Sequence, residues 1–205
     1  KSKIPPYGSR GLIDCDCLQR KCEQSGKQRQ QTQYGYGNRQ FENTDSLFLK
    51  KRRVIDKGNT EVVAEYIKEM TGADVFRIMP DKEYEKIQDY DELVELTRIE
   101  HENDERPTFN GKINDIGKYD TIFIGSPIWW YTFPQVMYTF LDSYDLNGKT
   151  IIPFTTHEGS GLADVVEVLR KYYPNATVAE GLAIRGRDAV KSKEKVVRWL
   201  EKTGF

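Results

Sequence analysis

From Val54 onward the apolar residues follow two alternating rhythms. Glu61–Met70 carries Val63, Ile67 and Met70 on one helical face, with Val62 and Tyr66 beside them, and Gly72 closes the run. That spacing predicts an amphipathic helix with a glycine C-cap. Ala73–Met79 (ADVFRIM) reads as a short strand stopped by Pro80. Tyr84–Asn103 is charged and helical, with Leu93, Leu96 and Ile99 as its expected inner face. Thr121–Gly125 (TIFIG) is an unbroken apolar run, which a strand covered on both faces requires. Pro134–Tyr144 predicts a helix with proline at its start. Thr150–Thr155 (TIIPFT) predicts a second covered strand, in which Pro153 implies a bulge or a local break in pairing. A helix over Gly161–Tyr172, a strand over Ala176–Ile184 and a helix over Ala189–Lys202 complete the pattern. Strand and helix alternating in this way predict an α/β fold, a doubly wound parallel sheet with helices on both faces.

The first part of the chain lacks this rhythm. KCEQSGKQRQQTQYGYGNRQ is rich in Gln, Gly, Lys and Arg and poor in aliphatic residues. Residues 1–45 therefore read as a low-complexity polar leader without a core, and residues 46–205 as the folded domain. Interleaved cations and tyrosines in the leader also suit single-stranded RNA, a rival use that requires salt-dependent binding. The formal net charge of −1 predicts no attraction of the whole chain to nucleic acid or membrane. No apolar run approaches the ~20 residues of a membrane span. The leader does not read as a signal peptide, so a cytoplasmic location is expected. Cys15, Cys17 and Cys22 fall together in the polar stretch with no fourth ligand nearby. They read as thiols of a reducing compartment rather than a metal site. Asn175-Ala-Thr177 is a chance match to a glycosylation tripeptide, and His101 belongs to a solvated helix face.

In sheets of this class, ligands lie beyond the carboxyl ends of the strands, where the strand order reverses. Three loops fall there. Gly58-Asn59-Thr60 opens the first helix and offers a phosphate the free amides and positive end of a helix, although Asn59 or Thr60 also suits an ordinary N-cap. Ser126-Pro127-Ile128-Trp129-Trp130-Tyr131 follows the TIFIG strand. Three consecutive large aromatics cannot all enter one core, so they suit the wall of a flat ring or a partner surface. Thr155-Thr156-His157-Glu158-Gly159-Ser160-Gly161 follows the TIIPFT strand, with glycines that permit close approach, while Ser160 is equally suited to capping the next helix. A hydrolase reading of His157 and Glu158 lacks a nucleophile elbow. No residue reads as a general acid or base, and none as a metal ligand.

GNTEVVAEYI, YDTIFIGSPIWW, FLDSYDLNGKTIIPFTTHEGSG and GLAIRG together resemble the flavodoxin-like flavoproteins, in particular the short bacterial flavodoxins and NAD(P)H-quinone reductase group, over about Val54 to Phe205. The resemblance implies a five-stranded parallel sheet in 2-1-3-4-5 order that binds FMN. By position, Asn59 and Thr60 beside Gly58 would hold the phosphate. Ser126 and Pro127 to Trp130 would border the isoalloxazine, and Thr156 to Gly161 would form the second loop against it. Tyr131 stands where such proteins often have glycine. The implied function is electron transfer or NAD(P)H-dependent quinone reduction, with a redox partner protein or a small quinone as partner. The flavin would supply the redox chemistry and the protein its position and potential. The alternative is a non-redox apo protein or defective gene product with impaired FMN binding.

One element of that pattern is missing. An aliphatic strand and a Ser-Arg-x-Gly phosphate loop should precede Gly58, but Phe41–Arg53 reads FENTDSLFLKKRR, whose short apolar run Leu47-Phe48-Leu49 meets four cations at once. With synonymous codons that this protein sequence permits, the same DNA read one base later encodes LKILIAYFSRRGE. The expectation is that this stretch is frame-displaced, with Leu47–Leu49 as a short substitute strand. Flexible cations do not replace a tight nest of amides, so FMN affinity and stability should be weakened.

Overall fold

The computed structural model describes residues 9–15, 57–82, 84–87 and 89–205. Among the described residues, seven strands form one sheet. They are β1 (Arg10–Cys15), β2 (Asp74–Pro80), β3 (Phe109–Asn110), β4 (Thr121–Pro127), β5 (Thr150–His157), β6 (Thr177–Val178) and β7 (Leu182–Arg185). The order is β3-β2-β1-β4-β5, with β6 and β7 both on the far side of β5. All pairings are parallel except that of the short edge strand β3 with β2. The predicted 2-1-3-4-5 arrangement is thus present, with β3 added at one edge and the last strand split in two. Helices α1 (Asn59–Thr71), α2 (Tyr90–Glu102), α3 (Gln135–Ser143), α4 (Val165–Tyr172) and α5 (Lys193–Thr203) complete it. Val63, Ala64 and Ile67 of α1 share one apolar cluster with Val196, Trp199 and Leu200 of α5. Val136, Met137 and Phe140 of α3 share the other with Val165 and Leu169 of α4.

The central strand is the main departure from the sequence expectation. It is built from Arg10–Cys15, inside the stretch read as a polar leader, and not from Leu47–Leu49, which lies outside the described residues together with Phe41–Arg53. Gly11 to Cys15 pair with Asp74 to Ile78 on one side, and Arg10 to Asp14 with Thr121 to Gly125 on the other. Leu12 enters the α1–α5 cluster, while Ile13 and Cys15 enter the α3–α4 cluster. Cys15 is therefore a buried core thiol. The segment escaped notice because Gly11 and Asp14 interrupt its apolar run, and Asp14 is itself only 1% exposed in the sheet centre.

Other elements shift in smaller ways. Asp89 caps α2 through the amides of Asp91 and Glu92, so the helix begins there and Tyr84–Lys86 forms a separate 3-10 turn. The buried stripe of α2 is Leu93, Thr97 and Glu100, spaced i, i+4, i+7, which leaves Ile99 exposed. In α1 the stripe passes from Ile67 to Thr71, whose carbonyl accepts from the Arg10 guanidinium at 3.1 Å, and Met70 turns outward. Pro153 acts as predicted on one side only. Its pairing with β4 is continuous, but on the other side pairing lapses between Ile151–Val178 and Phe154–Leu182. The imino acid therefore falls where no neighbouring strand needs its missing N–H.

Candidate cofactor-binding edge

The carboxyl ends of β4 and β5 and the start of α1 bring the three predicted loops to one edge. β4 and β5 stay paired through Pro127–Thr156, and the Ile128 N–H donates to the Thr156 carbonyl at 3.1 Å. Immediately beyond, the chain reverses. Trp129 and Thr132 exchange two backbone hydrogen bonds, of 3.0 and 2.9 Å, around Trp130 and Tyr131. Both central residues have positive φ, 50° and 62°, as a two-residue hairpin of the type that matches strand twist requires. Such backbone costs a bulky residue about 1–2 kcal/mol, so Tyr131 is strained at the position where the resemblance implied glycine. The three aromatics then separate. Trp129 packs edge-on to buried Tyr84, Trp130 is 38% exposed, and Tyr131 is 77% exposed. Ser126 is fully buried and its hydroxyl donates to the Pro127 carbonyl.

On the α1 side the sequence candidates are engaged within the protein. Gly58, not Asn59 or Thr60, is the N-cap, and it provides no side-chain bond. Thr60 and Thr156 are fully buried and share a hydroxyl–hydroxyl bond of 2.6 Å, tying α1 to β5. Asn59 is buried beside Gly186. A Cβ at Gly186 would stand 2.5 Å from Asn59 Nδ2 and 2.5 Å from Glu158 Oε1, so the glycine lets both side chains reach the end of β7. That role was missed in sequence, although GLAIRG marked the position.

The last loop is folded on itself. Thr155 Oγ1 donates to the Gly161 carbonyl at 3.0 Å, and Ala163 N–H donates to the Ser160 carbonyl at 3.1 Å. Asp164, not Ser160, precedes α4 as its N-cap. Gly159 is exposed and Gly161 has φ 66°. His157 ends β5 opposite Arg185, and its Nδ1 is buried with no hydrogen-bond partner among the described residues. Desolvation first, then the positive charges of Arg185 and Lys195, hold its pKa below the ordinary value, so the ring is neutral at pH 7. No group of three or more His, Cys, Asp or Glu side chains that could hold a metal occurs among the described residues. No described helix is long and apolar enough to cross a membrane.

A family model described as Flavodoxin matches residues 54–203. The chain belongs to the flavodoxin family. Among solved structures, it is similar to a candidate flavoprotein of Bacteroides uniformis ATCC 8492, at 23% identity and TM-score 0.67 over 96% of this chain and 99% of that one. A candidate flavoprotein of Bacteroides eggerthii DSM 20697 is 31% identical, with TM-score 0.61 over 71% and 90% of the two chains. A Lactobacillus acidophilus NCFM flavoprotein in complex with FMN shares the fold at 20% identity and TM-score 0.50, over 66% of this chain and 90% of that one. No curated protein sequence matches. The chain therefore has its family fold and, at the carboxyl edge of β4 and β5, an aromatic turn beside a histidine-bearing loop.

Proposed function

We propose that this flavodoxin binds FMN at the carboxyl edge of β4 and β5 and serves as a redox protein. One observation carries the reading. The last β4–β5 pair is Pro127–Thr156; the unpartnered His157 Nδ1 follows one residue past it on β5, and the strained Trp130-Tyr131 turn three residues past it on β4. A neutral imidazole nitrogen without a partner suits the polar rim of a heterocycle, and exposed aromatics suit its face. The Lactobacillus acidophilus relative, which shares the fold, is itself an FMN complex.

FMN supplies one- and two-electron redox chemistry when bound. The chain's own residues perform the rest. The first turn of α1 directs its helix dipole at the phosphate. Trp129 to Tyr131 and the His157–Gly161 loop border the ring and exclude water from it. His157 is kept neutral, so it adds no cation beside the ring, while Arg185 and Lys195 place positive charge near His157. The electrons pass between a reduced donor and an acceptor, with NAD(P)H and a quinone the first pair to assay.

A second reading, an apo protein with impaired FMN binding, is favoured by the engagement of Thr60 with Thr156 and of Asn59 beside Gly186. Titration with FMN and with riboflavin separates the two. The redox reading predicts saturable quenching of flavin fluorescence, tighter for FMN than for riboflavin. No quenching by either flavin would leave the apo reading.

A further inference from the structure

One indole of the aromatic turn is bonded to α2, and the other packs on Tyr84, which is itself bonded to α2. Trp130 Nε1–H donates to Thr97 Oγ1 at 3.3 Å. The Trp129 ring stands edge-on to Tyr84, with centroids 6.0 Å apart and planes at 87°. Tyr84 donates its hydroxyl to both oxygens of Glu100 at 3.0 Å, and Lys82 Nζ donates to Glu100 Oε1 at 2.6 Å and to Glu105 Oε2 at 3.1 Å. Thr97 and Glu100 are one helical turn apart on the buried stripe of α2. Glu100 is 1% exposed and Tyr84 2%, yet neither belongs to the two apolar clusters that hold the sheet.

A carboxylate buried this deeply persists only when its charge and lone pairs are answered, and here Lys82 and Tyr84 answer them. A satisfied buried network rigidifies what it touches. What this one touches is a turn with two bulky residues in left-handed backbone, a conformation that lasts only where the surroundings over-determine it. We infer that Glu100 is a positioning residue: with Lys82, Tyr84 and Thr97 it holds the Trp129–Trp130 turn in its strained shape and so sets the wall against which the flavin ring lies. The last clause rests on the FMN reading above; the seating of the turn does not.

The test uses the full chain carrying Trp199→Phe, which leaves Trp129 and Trp130 as the only indoles of the three. Tyr84→Phe and Glu100→Gln break the network, and Thr97→Val removes the acceptor of Trp130 with little change in shape. Tyr173→Phe is the control, since it deletes a hydroxyl bonded to the Leu141 and Tyr144 carbonyls, away from the turn. In the apo chains, the three network variants should shift indole emission to the red and raise acrylamide quenching about twofold, while Tyr173→Phe leaves both unchanged. With FMN bound, they should alter the flavin's visible circular dichroism and raise the dissociation constant about tenfold, the loss of one hydrogen bond to a charged group. Unchanged emission in all three variants overturns the inference. Changed emission with unchanged flavin dichroism overturns its flavin clause alone. If the parent takes up no FMN, the functional reading fails, and the apo emission still decides whether Glu100 seats the turn.

Discussion

The two halves of the candidate site are built on opposite principles. The ring half is a strained aromatic turn that contacts Thr97 of α2 directly and Glu100 of α2 by way of Tyr84. The phosphate half is the start of α1, whose polar side chains turn inward to tie α1 to β5 and to reach the end of β7. One half offers shaped side chains. The other, among the described residues, offers backbone and a helix dipole. Side-chain changes should therefore act on the ring, while the phosphate side should respond mainly to the chain that precedes Gly58.

The largest effect expected would break both halves at once. β4 and β5 are their shared spine, and a Cβ at Gly125 would stand 1.9 Å from the Phe154 ring. Gly125→Ala should lower unfolding free energy by about 3 kcal/mol, at the upper end for overpacking, in urea titration. A variant as stable as the parent would mean that Phe154 moves aside freely.

Next comes the phosphate half. Replacing residues 41–53 by LKILIAYFSRRGE should tighten FMN binding about 10- to 100-fold, because a nest of amides then joins the helix terminus. It should also raise the melting temperature, since an aliphatic strand would compete for the central slot, whose present strand Arg10–Cys15 carries a glycine and an aspartate. Equal FMN affinity in the two chains would contradict this and would mean that α1 alone suffices.

Smaller changes sharpen the contrast. Thr156→Val leaves the Thr60 hydroxyl without its partner, and should cost about 1–2 kcal/mol in unfolding free energy. Tyr131→Gly should do the reverse, stabilising the apo chain by about 1 kcal/mol through relief of the left-handed backbone. FMN binding should nevertheless weaken as the wall loses its ring. A drop in stability would show that the exposed Tyr131 side chain contributes contacts that outweigh the strain.

The smallest effect is one of pH. The unfolded state binds a proton on His157 more readily than the folded state does, because burial and Arg185 lower its folded pKa. Its contribution to stability is therefore complete above the unfolded pKa of about 6.5 and is lost as pH falls through the lower folded value. His157→Gln should flatten the thermal stability profile below pH 6.5, as measured by thermal scans in a series of buffers. A profile unchanged by the substitution would place the acid sensitivity elsewhere.

Sequence periodicity was enough to read α1 through α5 and the doubly wound sheet, because those segments bury long, regular stripes. It failed at β1, where six residues include a glycine and an aspartate and no stripe can form. It also misjudged α2, because a threonine and a glutamate occupy the inner face and an isoleucine the outer. A buried ion cluster has no periodic signature, so Tyr84 and Glu100 were invisible as partners of the aromatic turn. The three loops were legible as a group because topology alone gathers them at one edge. Which side chains would turn inward was not, since that depends on contacts such as Thr60 with Thr156 across about a hundred residues of chain.

The most direct test is an absorbance spectrum of the purified chain, mixed with FMN and then desalted. Retained flavin bands are expected at one FMN per chain, with a band shape perturbed from that of free FMN by the aromatic turn. A colourless protein, folded by circular dichroism, would contradict this expectation and leave a flavodoxin fold that holds no flavin.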